Sequence, residues 1–396
     1  MRAVLLTDSP VMAGTERHVL DLAVGLAAVE GGAIAPTVAA PPASALQEGC
    51  GQRGIPFLPL PKRNPLMDRG NVGELAARLA DGRADLIHAH NGQMLLTALL
   101  ARRRAGRGAV VYTQHFLEPA RLRRRGVRRL VSALGHRWMN RRIDQAIAIS
   151  QAVADEMLRR GEASPRRLSV VHHGITDPTG RLNTSRAAVR QTLGLSPAQP
   201  LVLCSARLEP EKDVPTLIEA MAEVLRQFPQ AVCLIAGQGS LRHSLESQIQ
   251  SSGLNRNVRC LGFRGDVADL LCAADVFVLP APREPFGLAV VEAMAAGLPV
   301  IAANAGGPRE IVTPGVCGLL VQPRSAWEMA RAIVQLLGDP CRRAAMGQAG
   351  RRRYLEHFSL ERMARQTALI YRKAMTSTPW AQEAENQPAQ FAGDAA

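Results

Sequence analysis

Glu284-Pro285-Phe286-Gly287-Leu288-Ala289-Val290-Val291-Glu292-Ala293-Met294-Ala295-Ala296-Gly297-Leu298-Pro299-Val300 is the stretch from which the rest of this 396-residue chain can be ordered. From Phe286 to Ala296 the only polar side chain is Glu292, and a helix that is apolar on every side belongs in an interior. A carboxylate there needs a basic partner or donors that arrive with a ligand, such as vicinal hydroxyls, because an unpaired buried ion is very costly. Upstream, Phe286-Gly287-Leu288 is expected to form the first turn. Backbone N–H groups at such a turn attract anions, and glycine lets a phosphate come close. Glu284 follows the apolar run Val276-Phe277-Val278-Leu279. That puts it at the C-terminal end of a strand, the edge where an open parallel sheet binds ligands.

The same alternation of short apolar runs and helical stretches extends in both directions. Before residue 176, strands are expected near 2–8, 35–40, 55–60, 85–90, 109–115, 145–150 and 168–172. Helices are expected from 16 to 28 and near 71–82, 92–105, 121–142 and 151–160. After residue 200, strands are expected near 201–206, 231–236, 258–262, 276–280 and 299–303, each followed by a helix. Strands alternating with helices imply a parallel sheet covered on both faces. The pattern lapses between Thr176 and Pro200, where a domain boundary is expected. The expected organisation is a first domain over 1–175, a linker over 176–199, a second domain over 200–358, a helix over 359–375 returning to the first domain, and a disordered tail over 376–396. The fold class is α/β: two doubly wound Rossmann-like domains facing across a cleft.

Composition narrows the function. Apolar residues make up 47% of the chain, and seven scattered cysteines form no Cys-x-x-Cys pair, which fits a reduced globular protein without a zinc cluster. No signal peptide and no apolar run long enough to span a bilayer is found, so a cytoplasmic location is expected. The net charge is +14, which points to anionic partners. Thirteen arginines face the single acid Glu118 between 102 and 142. That segment is either a helix docking on the inner face of an anionic membrane or an ordinary solvated face. Aromatic content of 4% argues against nucleic acid as a partner.

Arg207 and Lys212 leave the first strand of the second domain on the same sheet edge as Glu284. A guanidinium and an ammonium together suit a diphosphate leaving group; surface pairing with Glu209 or Glu211 is the alternative. No Asp-x-Asp pair, Walker loop or His-Glu-x-x-His helix is found. The two cations and the helix N-terminus at Gly287 would then do a metal's work on the departing charge. Gly237-Gln238-Gly239 is weaker, an ordinary strand-to-helix turn as readily as a phosphate turn. His88, His90, His115 and His173 fall at strand ends, where each is a structural histidine or a site group.

Arg207 with Lys212, the pair Glu284 and Glu292 within Glu-Pro-Phe-Gly-Leu, and Gly306-Gly307-Pro308-Arg309-Glu310-Ile311-Val312 followed by Gly318-Leu319-Leu320-Val321 resemble the donor domain of family 4 retaining glycosyltransferases, which have the GT-B fold. The resemblance is strong over 200–340 and looser in the first half. It implies a transferase of the hexosyl type that takes a nucleotide-diphosphate sugar, needs no metal or other cofactor, and acts on a glycan or lipid-linked acceptor in cell-surface polysaccharide or glycolipid synthesis. Arg207 and Lys212 would hold the diphosphate, Phe286, Gly287 and Leu288 would supply the anion-binding turn, and Glu292 would take the ribose hydroxyls. Phe263 and Arg264 would lie at the base. Glu284 and His115 would touch the transferred sugar as catalytic groups. The family's glycine pair in the first loop is reduced here to Ala13-Gly14, leaving Gly14 alone for close approach. A sugar-nucleotide epimerase, a glycan phosphorylase and an anion-binding protein are the competing readings.

Overall fold

The computed structural model describes residues 1–9, 12, 14–61, 68–117, 126–181 and 184–376. The chain divides into two units, Met1–Gly174 with the segment from Leu360 onward, and Ile175–Ser359.

The first unit is built on β1 (Arg2–Leu6), β2 (Ala35–Ala40), β3 (Phe57–Pro59), β4 (Leu86–Ala89), β5 (Ala109–Gln114), β6 (Gln145–Ala148) and β7 (Leu168–Val170), in the order β3-β2-β1-β4-β5-β6-β7. Every pairing is parallel. In register, Leu5 lies beside Val38 on one side and His88 on the other, so the strand order reverses between β1 and β4. β1, β4, β5 and β6 are almost wholly buried, which explains their continuous apolar runs in place of alternation. Side-chain oxygens start the helices after several strands: Asn91 accepts from the N–H groups of Gln93 and Met94, and Ser150 from that of Val153. The last helix, Leu360–Thr376, packs on the first, Gly14–Ala28, where a Cβ on Gly25 would stand 2.9 Å from that of Ala364. Its Leu360, Met363, Ala364, Ala368 and Tyr371 complete the core with Leu22 and Leu26.

The second unit carries β8 (Leu201–Ser205), β9 (Val232–Ala236), β10 (Val258–Gly262), β11 (Val276–Leu279), β12 (Val300–Ala303) and β13 (Gly318–Val321), in the order β10-β9-β8-β11-β12-β13, again all parallel. Here the order reverses between β8 and β11. The expected α/β class with two doubly wound sheets is what the molecule has.

Several expected boundaries differ. The stretch 176–199, expected as a linker, lies inside the second unit and carries a 3-10 turn at Pro178–Arg181 and a helix at Arg186–Thr192. Its attachment is polar, which is why apolar patterning missed it. Arg190 is 2% exposed and donates to the carbonyl oxygens of Ala273, Ser196 and Gln199, while Arg186 reaches Asp275 at 2.7 Å. The helix expected over 359–375 begins at Leu360, and a separate helix, Pro340–His357, precedes it. Between the two, the N–H of Ile175 donates to the carbonyl of Phe358, and Ile175 bridges Ser359. The first helix begins at Gly14, two residues earlier than expected. β13 was not expected as a strand, being four residues long and glycine-led. The tail from 377 lies outside the described residues.

Candidate functional site

In the second unit the loop after β8 packs on the loop after β9, and the loop after β11 on the loop after β12, through glycines that have no room for a side chain. Gly237 sits at φ +151°, and a Cβ there would stand 1.8 Å from the carbonyl oxygen of Ala206; one on Gly239 would stand 2.3 Å from that of Leu208. The loop carrying Arg207 is thereby pressed on the loop after β9, and the N–H of Leu208 donates to Gln238. The Gly-x-Gly turn is a packing device. Gly306 and Gly307 serve the loop at the centre of the site in the same way. Side chains on them would meet the carbonyl oxygens of Glu284 at 2.1 Å and Phe286 at 2.2 Å, and the N–H of Gly307 donates to the carbonyl of Glu284 at 2.9 Å.

Gly287, at φ +115°, caps the helix Leu288–Ala295, a backbone position that other residues rarely adopt. The first bonds of the helix run from the N–H groups of Val290 and Val291 to the carbonyl of Gly287, which leaves those of Leu288 and Ala289 ahead of the ladder, and the macrodipole adds positive character there. Glu292 was expected to be buried with the rest of this helix. It is half-buried, as are Leu288, Ala289 and Ala296, so these residues mark one accessible face. Glu292 follows Leu288 by about one turn on that face, about 6 Å along the axis. A ligand with an anion at one end and a diol a few ångströms away matches this spacing.

Lys212 forms an ion pair with the Oε2 of Glu284; their side chains are 16% and 11% exposed. This partner was not foreseen for either residue. Lys212 has three N–H bonds to give, so it can keep Glu284 oriented and still hold an anion. Arg207 does not join them. It is 63% exposed and pairs with Glu211 at 2.6 Å, the surface pairing that stood as the alternative. The other acid, Glu209, accepts from the N–H and hydroxyl of Ser240 at 3.0 and 2.7 Å, bonds that hold its carboxyl below the usual range. After β10, Phe263 is 73% exposed, and Arg264 is fixed by Asp266 at 2.8 and 2.5 Å.

In the first unit His115 belongs to a buried cluster with His18, His88, His90 and His173. The rings of His18 and His173 have centroids 4.1 Å apart, as do those of His88 and His90. His90 Nδ1 and His115 Nε2 share a hydrogen bond of 3.1 Å, while His88 lies between the hydroxyls of Tyr371 at 2.8 Å and Thr113 at 2.7 Å. Burial holds His18 down at about 3 and the other four well below the usual histidine value, so all five are neutral at pH 7. Sequence reasoning missed His18, because it rides on a helix and not at a strand end. It also missed Asn91, which caps its helix and donates to Asp8 at 2.7 Å; an Asn directly ahead of a helical run was the available signal. Gly14 opens the first helix and is exposed.

The arginine-rich segment is described only in part, its densest portion, 121–125, lying outside the described residues. The helix Gly126–Asn140 exposes Val131, Leu134 and Trp138 at 63%, 58% and 41%, and the Arg142 guanidinium stands 4.0 Å over the Trp138 ring. Among the described residues no helix is long and apolar enough to cross a membrane.

Two doubly wound parallel-sheet domains, the second with glycine-packed loops, a lysine–glutamate pair and a half-exposed acid on an apolar helix, define the GT-B class. The family model for glycosyl transferases group 1 matches residues 185–353, and that for glycosyltransferase family 4 matches residues 12–177. The chain belongs to glycosyltransferase family 4. It is 31% identical over 321 residues to a D-inositol 3-phosphate glycosyltransferase of Rhodococcus opacus, covering 75% of this chain and 69% of that one. It is 37% identical over 187 residues to the GDP-mannose-dependent monoacylated alpha-(1-6)-phosphatidylinositol monomannoside mannosyltransferase of Corynebacterium glutamicum, covering 45% and 48%. The chain spans 48%, 60% and 53% of the length of the first three curated relatives it matches. Among solved structures it is similar to Anabaena Alr3699/HepE in complex with UDP, with a TM-score of 0.79 and 26% identity over 93% of this chain and 99% of that one.

Proposed function

We propose that the protein is a retaining glycosyltransferase of the hexosyl type that moves a sugar from a nucleotide-diphosphate donor to a glycan or lipid-linked acceptor without a metal ion, in the synthesis of cell-surface polysaccharide or glycolipid. The observation that carries this reading is the spacing on the helix Leu288–Ala295, where an anion-binding N-terminus lies one turn from the half-exposed Glu292. A diphosphate at Gly287 and Leu288 would lie beside Lys212 and place the attached ribose diol at Glu292. Arg207 is free to swing from its exposed pair with Glu211, since such pairs contribute little. Phe263 and Arg264 take the base side. Glu284 is engaged by Lys212, which supports a positioning and electrostatic role for it over that of a nucleophile, and His115 contacts the transferred sugar. The UDP complex of the Anabaena neighbour supports a nucleotide donor.

Thermal melting with UDP-, GDP- and ADP-sugars tests this. A true donor at a hundredfold excess over its Kd stabilises by about 2.7 kcal/mol and raises the melting temperature, and Glu292→Ala removes that shift. No shift with any member of the panel would sink the donor-site assignment. Phosphate-dependent release of sugar 1-phosphate, or epimerised donor without acceptor, would replace transfer with phosphorolysis or epimerisation.

We also propose peripheral contact with anionic membrane through residues 121–142, supported by the exposed Val131, Leu134 and Trp138 beside Arg142. Vesicles of anionic lipid are expected to retain the protein at low salt and release it at high salt. Equal retention by neutral vesicles, or none by anionic ones, rejects it.

A further inference from the structure

The histidine cluster of the first unit contains more than a contact for a sugar requires. His18 comes from the helix Gly14–Ala28, His90 from the residue after β4 and His115 from the residue after β5. A ligating nitrogen on each of the three lies within 4.8 Å of the other two. His18 Nδ1 and His90 Nε2 are fully buried without a hydrogen-bond partner. Buried polar atoms are nearly always satisfied, and each exception calls for an explanation. Two such nitrogens in one cluster, with a third imidazole alongside, point to a ligand that accepts several lone pairs at once.

We propose that His18, His90 and His115 form a binding site for a divalent transition-metal ion of the zinc type. Imidazole nitrogen suits zinc, cobalt, nickel and copper, and three histidines with an open fourth position are an established zinc ligand set. A tetrahedral ion about 2.0–2.1 Å from each nitrogen requires them about 3.3 Å apart, so ring rotations of about an ångström close the set. The hydrogen bond between His90 and His115 gives way to the ion, and the two unmatched nitrogens gain the partner they lack. The fourth position goes to water. Because the proposed function gives His115 to the transferred sugar, the ion's effect on turnover rests on that reading: it withdraws His115 and inhibits, so transfer is metal-independent yet metal-sensitive.

The test uses tag-free, chelator-stripped full-length protein titrated with Co²⁺ and then Zn²⁺, with no donor present, so its outcome is separate from that of any transfer assay. The expected result is one Co²⁺ per chain with the intense visible absorption of a tetrahedral site, displaced by Zn²⁺. His18→Asn weakens binding by about a hundredfold or more. His18→Cys restores it and adds a thiolate-to-cobalt charge-transfer band, which locates the ion even if the Asn variant fails to fold. Wild-type protein that takes up no Co²⁺, or binding unchanged in His18→Asn, overturns the site. Zn²⁺ that binds there without slowing transfer leaves the site in place and removes its inhibitory consequence.

Discussion

Lys212→Ala is expected to lower turnover by about 10²–10³, the loss associated with removing one preorganised donor from a developing negative charge. Part of any loss would come from folding, because the variant strands the Glu284 carboxylate, whose side chain is only 11% exposed. A buried group left unpaired costs about 1–3 kcal/mol. The double variant Lys212→Met with Glu284→Gln separates the two effects: it removes both charges at similar volume, so melting returns toward wild type while turnover stays down. Initial rates at saturating donor and thermal melts of both variants are the measurements. A double variant that regains wild-type turnover would show that neither charge acts on the reaction.

Acidification is expected to unfold the first unit well before ordinary carboxylate titration begins. The five buried histidines are held neutral in the folded state, His18 down at about 3 by burial, and the rest well below 6.5 chiefly by burial and secondarily by neighbouring histidines. In the unfolded chain each returns to about 6.5. Below that pH the unfolded state binds more protons, so stability is fully present above about 6.5 and falls as pH drops. Each histidine contributes up to about 1.4 kcal/mol per pH unit, and five acting together rival the roughly 5–15 kcal/mol that holds a domain folded. Melting temperature in the presence of chelator should fall steeply from pH 6.5 to 5, and His18→Asn should make the fall shallower by one proton's worth. The Asp177 carboxyl, held far below its usual range by Arg351, does not titrate in that window. A melting temperature flat from pH 7.5 to 5 would contradict the buried, neutral assignment.

The sheets were legible because parallel strands covered on both faces leave continuous apolar runs, and those of β8, β9, β11 and β12 lie within a residue or two of their expected positions. The helix Arg186–Thr192 was not legible, since Arg186 and Arg190 fasten it through Asp275 and carbonyl oxygens, and no hydrophobic period records such bonds. Glu284, Lys212, Gly287 and Glu292 were singled out individually from residue type and strand edge. The pairing of Lys212 with Glu284 and the solvent access of Glu292 are tertiary facts that residue spacing does not carry. Arg207 shows the opposite limit: its sequence neighbours held the surface pairing with Glu211 that the structure displays. Five histidines from four separate stretches of sequence meet because β4, β5 and β7 end, and the first helix begins, at the same sheet edge.

The helix Leu360–Thr376 belongs to the core of the first unit although it is the last described segment of the chain. Units generally fold as they leave the ribosome, the earliest first. Here the earliest is kept waiting, its groove over Leu22 and Leu26 uncovered until all of Ile175–Ser359 has been translated and the closing helix emerges. Order of birth and order of completion are reversed, so a nascent chain that has released Ile175–Ser359 but not Leu360–Thr376 would hold one finished unit and one unfinished one.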